Sequence, residues 1–343
     1  MNKFFIRQLL EALAVGDSFA KSTEFASREQ IKRSFQSIDN LLSPSEALSH
    51  KDMNYAQVTD DTEQNIFLLE DYCKSSCISP EIAARSLLRW YDLSSEPEKY
   101  IGPSSRKAIL SIKKGVDLHL TGSSGTSCGG IMRVPSAFLC SIDLDSLHNN
   151  IVSTLFPTHY TNPALEAAFG YAYALFAATV NNNIDYIIQE AQKGCEIGHR
   201  IKKEEPDTTC LPSCTARLPV LVHYLVQFKS DDELLDFLFY VFGTTISSCD
   251  VFTAALSLFL WCREDVFKSI RMSAMLGGDT DTIGCLAAVL CCCYAKGHNI
   301  PEQIVHTVVF SNHLQLEDLS GQIVQFRERQ LQYKLRKSEE ELQ

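Results

Sequence analysis

Met275-Leu276-Gly277-Gly278-Asp279-Thr280-Asp281-Thr282-Ile283-Gly284 is the stretch on which the reading of this chain turns. Two glycines make a turn. Two aspartates follow, one residue apart and interleaved with two threonines, and an apolar run from Ile283 to Ala295 comes next. This order reads as a loop that hands directly into a buried helix. Asp279 or Thr280 suits the N-cap, because a short side-chain oxygen there accepts from an orphan amide of the first turn. Carboxylates at a helix start also suit the macrodipole, so capping accounts for the motif taken by itself. A second stretch shifts the balance. Thr59-Asp60-Asp61-Thr62 has the same character and also precedes an apolar-periodic segment, Ile66-Phe67-Leu68-Leu69 with Tyr72. Two carboxylate pairs with flanking hydroxyls, each at a helix start, read as halves of one metal site.

Carboxylate and hydroxyl oxygens with no histidine or cysteine nearby in sequence select a hard cation, Mg2+ or Mn2+, over zinc. Four aspartates about 5 Å apart would repel by about 3 kcal/mol per pair at an effective dielectric near 20. Two divalent ions neutralise that charge, and such a pair clamps vicinal hydroxyls or orients a water for attack.

Between the halves lies Thr121-Gly122-Ser123-Ser124-Gly125-Thr126-Ser127-Cys128-Gly129-Gly130-Ile131-Met132-Arg133. Its glycines let backbone amides turn toward a ligand, and such nests favour anions. It is neither a Walker loop nor a GxGxxG turn after a strand. A flexible surface loop is the plain alternative, but Met132 to Cys140 turns apolar at once, which anchors the loop in the core. Thr158-His159 precedes the apolar helix Ala164 to Val180; His159 is a pocket donor or simply a loop residue. Asp17 and Glu24, seven apart, flank a Ser/Thr-rich link that also reads as a polar loop with one capping acid. These residues amount to a binuclear metal site with a phosphate loop, and leave phosphoester and glycoside hydrolysis both open.

The rest of the chain is helical. Apolar periodicity marks Phe4 to Val15, which stops at Gly16-Asp17, then a short piece near Ile31 to Leu42 within a polar, Ser-rich surface excursion. Further helices follow at 61–77, 81–91, 104–114, 164–180, 184–201, 220–228, 232–242, 251–262, 263–275 and 301–310. Lys202 to Pro219 reads as a charged loop and 322–343 as a charged, exposed tail. No strand alternation and no repeat is visible, so the fold class is all-α. The 343 residues and 45% hydrophobic content supply a large core for one compact domain. A net charge of -11, with no basic block beyond Lys202-Lys203 and the tail, argues against nucleic-acid binding. The longest apolar runs, about 13 residues, fall short of the ~20 that span a bilayer. Glu11 and Asp17 interrupt any signal peptide. The 13 cysteines, including the Cys73/Cys77 and Cys210/Cys214 pairs, match no zinc spacing, and reduced thiols in a cytoplasmic protein fit best.

Taken in order, Gly16-Asp17 with Glu24, Thr59 to Thr62, Ser127 to Arg133, Thr158-His159 and Gly277 to Thr282 resemble the ADP-ribosylglycohydrolase family, that of the dinitrogenase reductase-activating glycohydrolase. Tyr100 to Arg106 is also similar, and the likeness covers about residues 5 to 310. The resemblance implies an all-helical domain, here residues 1–320 followed by the tail 321–343, with two Mg2+ ions that Mn2+ can replace. It implies hydrolysis of the bond between C1″ of ADP-ribose and a modified protein side chain. Thr59, Asp60 and Asp61 would hold one ion and Asp279, Asp281 and Thr282 the other. Glu24 would sit on a mobile acidic loop over the scissile bond and act in catalysis with Asp60, Asp61 and Asp281. Gly125, Thr126, Ser127, Cys128, Gly129, Gly130, Met132 and Arg133 would wrap the diphosphate and ribose, and His159 would line the distal pocket. Ala20 and Lys21 depart from the family's small turn, and Cys128 stands where many members have asparagine. The expected partners are ADP-ribose and an ADP-ribosylated protein, with arginine-linked ADP-ribose the default substrate and the protein a monomer. Serine-linked, poly- or other O-linked ADP-ribose is the alternative, as is an inactive ADP-ribose-binding pseudoenzyme.

Overall fold

Three helices carry apolar residues on every face, and a helix of that kind has nowhere stable to sit except the interior. They are Asn162–Val180, Ser248–Cys262 and Thr280–Ala295, and nearly every residue in each is buried. Helices with one apolar face pack around them. Ile184–Ile201 buries only a stripe that includes Ile187, Ala191 and Cys195, and Pro80–Leu93, started by Pro80 and capped by Ser79, does likewise. The computed structural model describes residues 1–202 and 211–341. Among them are 17 α-helices and no strand, so the fold is all-α. No helix among the described residues is long and apolar enough to cross a membrane. Twelve described cysteines are unpaired, ten of them buried, where they pack as small hydrophobes. Cys210 lies outside the described residues, as do positions 203–209 of the charged loop expected around it.

One crossing positions the site. The first helix does not stop at Gly16 but runs Lys3–Ala20 and continues as a 3-10 turn, Lys21–Thr23. Gly16 serves close packing instead. A Cβ there would lie 2.6 Å from the Gly284 carbonyl oxygen, and one on Gly284 would lie 2.9 Å from that of Gly16. The two backbones therefore touch, and the touch carries Asp17 to the start of the Asp60–Lys74 helix. Gly16→Ala is expected to cost roughly 1–3 kcal/mol, the usual penalty for overpacking. Denaturant melts would show it as a lower midpoint at unchanged slope.

Other boundaries also differ from the periodicity. The helix expected at 220–228 is Cys214–Leu225, with Pro219 inside it. Ser213 is its N-cap, accepting from the Ala216 amide, and Glu166, 48 residues before Cys214, adds a second cap by accepting from the Cys214 amide at 2.7 Å. The 232–242 helix becomes a π-turn at Leu238–Phe242. The last helix, Leu316–Glu341, runs unbroken across position 320. Its first half belongs to the core, since Ile323 and Phe326 are buried. Arg327 ties it down by donating to the Leu139 carbonyl at 3.1 Å. Leu331, Tyr333 and Leu335 beyond it are exposed.

Candidate active site

Gly277 and Gly278 both take positive φ, 87° and 82°, the left-handed turn that glycine alone adopts without strain. That turn ends Val266–Leu276 and starts Thr280–Ala295 with Asp279 at the N-cap. The Asp279 side chain makes no capping bond, which leaves its carboxylate for something else. At the other half, Thr59 is the N-cap of Asp60–Lys74. The halves meet: Thr282 Oγ1 donates to Asp61 Oδ2 at 3.1 Å. Carboxylate oxygens of Glu24, Asp279 and Asp281 lie within 4.8 Å of one another.

Asp17, which the sequence presents as a loop acid, is fully buried and holds this assembly together. Its carboxylate accepts from the Thr59 amide at 3.0 Å and the Thr59 hydroxyl at 2.9 Å. It also accepts from the Thr62 amide at 3.1 Å and the Thr62 hydroxyl at 2.5 Å. Asp17 is thus an extra cap, delivered by the Gly16–Gly284 crossing. With its proton committed to Asp17, the Thr59 hydroxyl has only lone pairs to offer a cation.

The cluster is electrostatically loaded. Burial, reinforced by the negative charge of Asp281, raises Asp60, Asp61, Asp279 and Glu24 well above the usual carboxylate range. The same causes push Asp17 up to about 6. Burial lowers Lys21 to about 8, against the attraction of Asp17 and Asp281. Asp61 Oδ1 and Asp279 Oδ2 are buried and have no hydrogen-bond partner. Orphaned buried carboxylate oxygens are costly and mark a place where an ion belongs. An all-oxygen donor set of this charge fits a hard divalent cation.

The cluster floors a cleft of about 670 Å3, open mouth included, within the usual range for a small-molecule site. Of the expected residues, Glu24, Asp60, Asp61, Ser127, Cys128, Gly129, Met132, Asp279, Asp281 and Thr282 line it. Thr59, Gly125, Thr126, Gly130, Arg133 and His159 are not on its wall. Arg133 is a buried strut, donating to Gln64 Oε1 at 2.7 Å and Ser105 Oγ at 2.8 Å. Gln64 in turn donates to Asp60 Oδ2 at 3.1 Å, so the glycine loop and the acids share one network. His159 is buried behind the loop, 3.0 Å from Ser127 Oγ. Burial and the Arg133 charge hold it well below the usual histidine range, hence neutral.

The loop's shape is fixed from behind. Cys128 donates its amide to the Ile246 carbonyl at 2.8 Å, so that amide is not turned to a ligand. A Cβ on Gly129 would lie 2.5 Å from Ser105 Oγ and 2.8 Å from the His159 ring. Gly129→Val must therefore displace the loop. It is expected to weaken ADP-ribose binding by about tenfold or more, read by calorimetry, while metal binding persists. Unchanged affinity in a folded variant would remove the loop from the ligand site.

A further stretch of wall is formed by Lys99 to Pro103 and Ser105, and Phe25 and His50 also line the cleft. Neither Phe25 nor His50 carried a signal in the sequence. Phe25 sits beside Glu24 in a segment without periodicity, and His50 in the Ser-rich excursion. Tyr100 is the wall's aromatic, its hydroxyl held 3.0 Å from Glu63 Oε2. His119, the nearest aromatic by sequence, is exposed and packs edge-on against Phe156.

An all-helical fold with a carboxylate-floored cleft is the frame in which the comparisons fall. The family model of the ADP-ribosylglycohydrolases matches residues 5–332, and the chain belongs to that family. It is 26% identical over 283 residues to YegU, an uncharacterised protein of Escherichia coli K12, covering 81% of this chain and 84% of that one. It is 27% identical over 299 residues to an uncharacterised protein of Archaeoglobus fulgidus, covering 87% and 89%. In structure it resembles a chain of an ADP-ribosylglycohydrolase-related protein complex, with a TM-score of 0.66 and 20% identity over 95% of this chain and 98% of that one.

Proposed function

We propose that the protein is a Mg2+-dependent hydrolase that releases ADP-ribose from modified protein side chains, mono-ADP-ribosyl-arginine first among them. The observation that carries this reading is the pair of buried, unpartnered carboxylate oxygens on Asp61 and Asp279 at the floor of the cleft. Thr59, Asp60 and Asp61 would hold one ion and Asp279, Asp281 and Thr282 the second, with Mn2+ as a substitute. When bound, the pair supplies fixed positive charge for clamping ribose hydroxyls and orienting a water. The chain's own residues do the rest. Asp17 fixes the Thr59 hydroxyl, and the loop from Ser127 to Met132 embraces the ligand together with Tyr100. Glu24 faces the acids and, as a carboxyl group in a buried setting, is suited to take or give a proton. The bond from C1″ to the side-chain nitrogen breaks, the water oxygen bonds to C1″, and its proton passes to the departing nitrogen. The acidic cleft and the exposed ring of Phe25 beside it suit a cationic guanidinium leaving group.

The test is incubation with arginine-, serine- and poly-ADP-ribosylated substrates in Mg2+, scoring free ADP-ribose. Release from the arginine-linked substrate supports the reading. Release only from serine-linked or polymeric substrate reassigns the acceptor. Binding of ADP-ribose without release from any of them leaves a binding protein, not a hydrolase.

A further inference from the structure

Residues 47–57, which begin within the Ser-rich surface excursion the sequence presents from Ser27 to Met53, fold back over the Glu24 segment and grip it. The amides of Leu48 and Ser49 donate to the Ser22 carbonyl at 2.9 and 3.1 Å. Ser49 Oγ donates to the Glu24 carbonyl, and His50 Nε2 meets Glu24 Oε2 in a hydrogen bond. Further along, the Ala56 carbonyl accepts from Ser18 Oγ at 2.8 Å, and Lys21 Nζ donates to the Asn54 and Gln57 carbonyls. The arm is anchored on its far side as well. Asn312 Nδ2 donates to the Ala56 carbonyl at 2.7 Å, and Asp52 pairs at 3.1 Å with Lys99 of the cleft wall.

The backbone there is held in an unfavourable state. His50, Ala56 and Phe25 adopt φ of 52°, 58° and 58°. Left-handed conformations are unfavourable for an L-residue and persist only where the surroundings over-determine them. The Glu24 carboxyl faces the acid cluster, one of its oxygens lying within 4.8 Å of carboxylate oxygens of Asp279 and Asp281. The His50 imidazole, which hydrogen-bonds the Glu24 carboxyl in place, comes from the arm.

We propose that His50 is a positioning residue for Glu24. The 47–57 arm acts as a clasp, holding the Glu24 carbonyl through Ser49 and its carboxylate through His50. Lys21, in place of a small residue, fastens the same segment to the arm at Asn54 and Gln57. The clasp replaces a freely swinging acidic loop with one held at the cleft. The turnover consequence rests on the hydrolase reading above, whereas the restraint itself does not.

Hydrogen exchange on the ligand-free full chain separates the two. In wild-type protein the Glu24 and Phe25 amides are bonded to the Lys21 and Gly278 carbonyls. His50→Ala is expected to speed exchange of residues 22–26 by about tenfold, the worth of one buried hydrogen bond. The amides of Thr62 and Ile283 serve as internal controls and should not change. His50→Gln, whose side-chain amide can still donate to Glu24, should restore protection. With an ADP-ribosylated substrate, His50→Ala should lower kcat by about tenfold at nearly unchanged KM, and His50→Gln should recover it. Wild-type exchange of residues 22–26 in His50→Ala overturns the inference. So does loosened exchange with wild-type kcat. If wild-type protein releases no ADP-ribose, the functional reading fails and the exchange result alone decides the clasp.

Discussion

Asp281→Ala is expected to lower turnover on an ADP-ribosylated substrate by on the order of 10³-fold, the equivalent of several kcal/mol of lost transition-state stabilisation. Asp281 is the carboxylate whose charge weighs most, after burial, on Asp60, Asp61, Asp279 and Glu24. It therefore occupies the electrostatic centre of the cluster. Its structural role is small: its Oδ1 accepts from the neighbouring Thr282 amide at 2.9 Å, a contact of about 1 kcal/mol. Removing it also relieves repulsion in the metal-free state, so the fold should melt no earlier than wild type. Loss of activity with an intact melting curve supports the assignment. Wild-type turnover by a folded Asp281→Ala protein would dismiss this cluster as the reacting centre. Asp60→Ala should behave in the same way.

Glu24→Ala should reduce kcat by about 10²–10⁴-fold, the range for losing a positioned general acid or base. ADP-ribose affinity should be largely kept, because in the proposed function the glycine loop and the acidic floor hold the ligand. The structure strengthens this expectation. Glu24 is 8% exposed, not a free surface acid, and Ser49 and His50 hold both its carbonyl and its carboxylate. Steady-state kinetics beside calorimetry decides it. A fall in affinity matching the fall in turnover would make Glu24 a binding residue instead.

Much of this was legible in the sequence, and for identifiable reasons. The three core helices announce themselves because no placement other than the interior suits an all-apolar helix. The two halves of the site are readable because their chemistry is local: Thr59 to Thr62 and Gly277 to Thr282 each bring turn, cap and carboxylates together within a few residues. Gly16 misleads because a packing glycine and a stop glycine look alike until the partner helix is known, and the partner is Gly284. The helix start at Cys214 is hidden because Pro219 reads as a helix breaker; Ser213, its N-cap, is the local signal, and Glu166 reinforces it from 48 residues away. Asp17 reads as a loop acid since its four donors lie 42 to 45 residues downstream. His159 and Arg133 stand in the motifs that carry the family likeness, yet both are buried supports behind the glycine loop. Residues 47–57 lack periodicity altogether, because their order comes from long-range hydrogen bonds to Ser18, Ser22, Glu24 and Asn312.

In the proposed function the buried acids hold divalent cations on which release of ADP-ribose depends. The most direct measurement is ADP-ribose released from an arginine-linked substrate by chelator-treated protein, before and after Mg2+ is returned. No release is expected in excess chelator, with full recovery when Mg2+ or Mn2+ is returned. Undiminished release in excess chelator would contradict the proposed function.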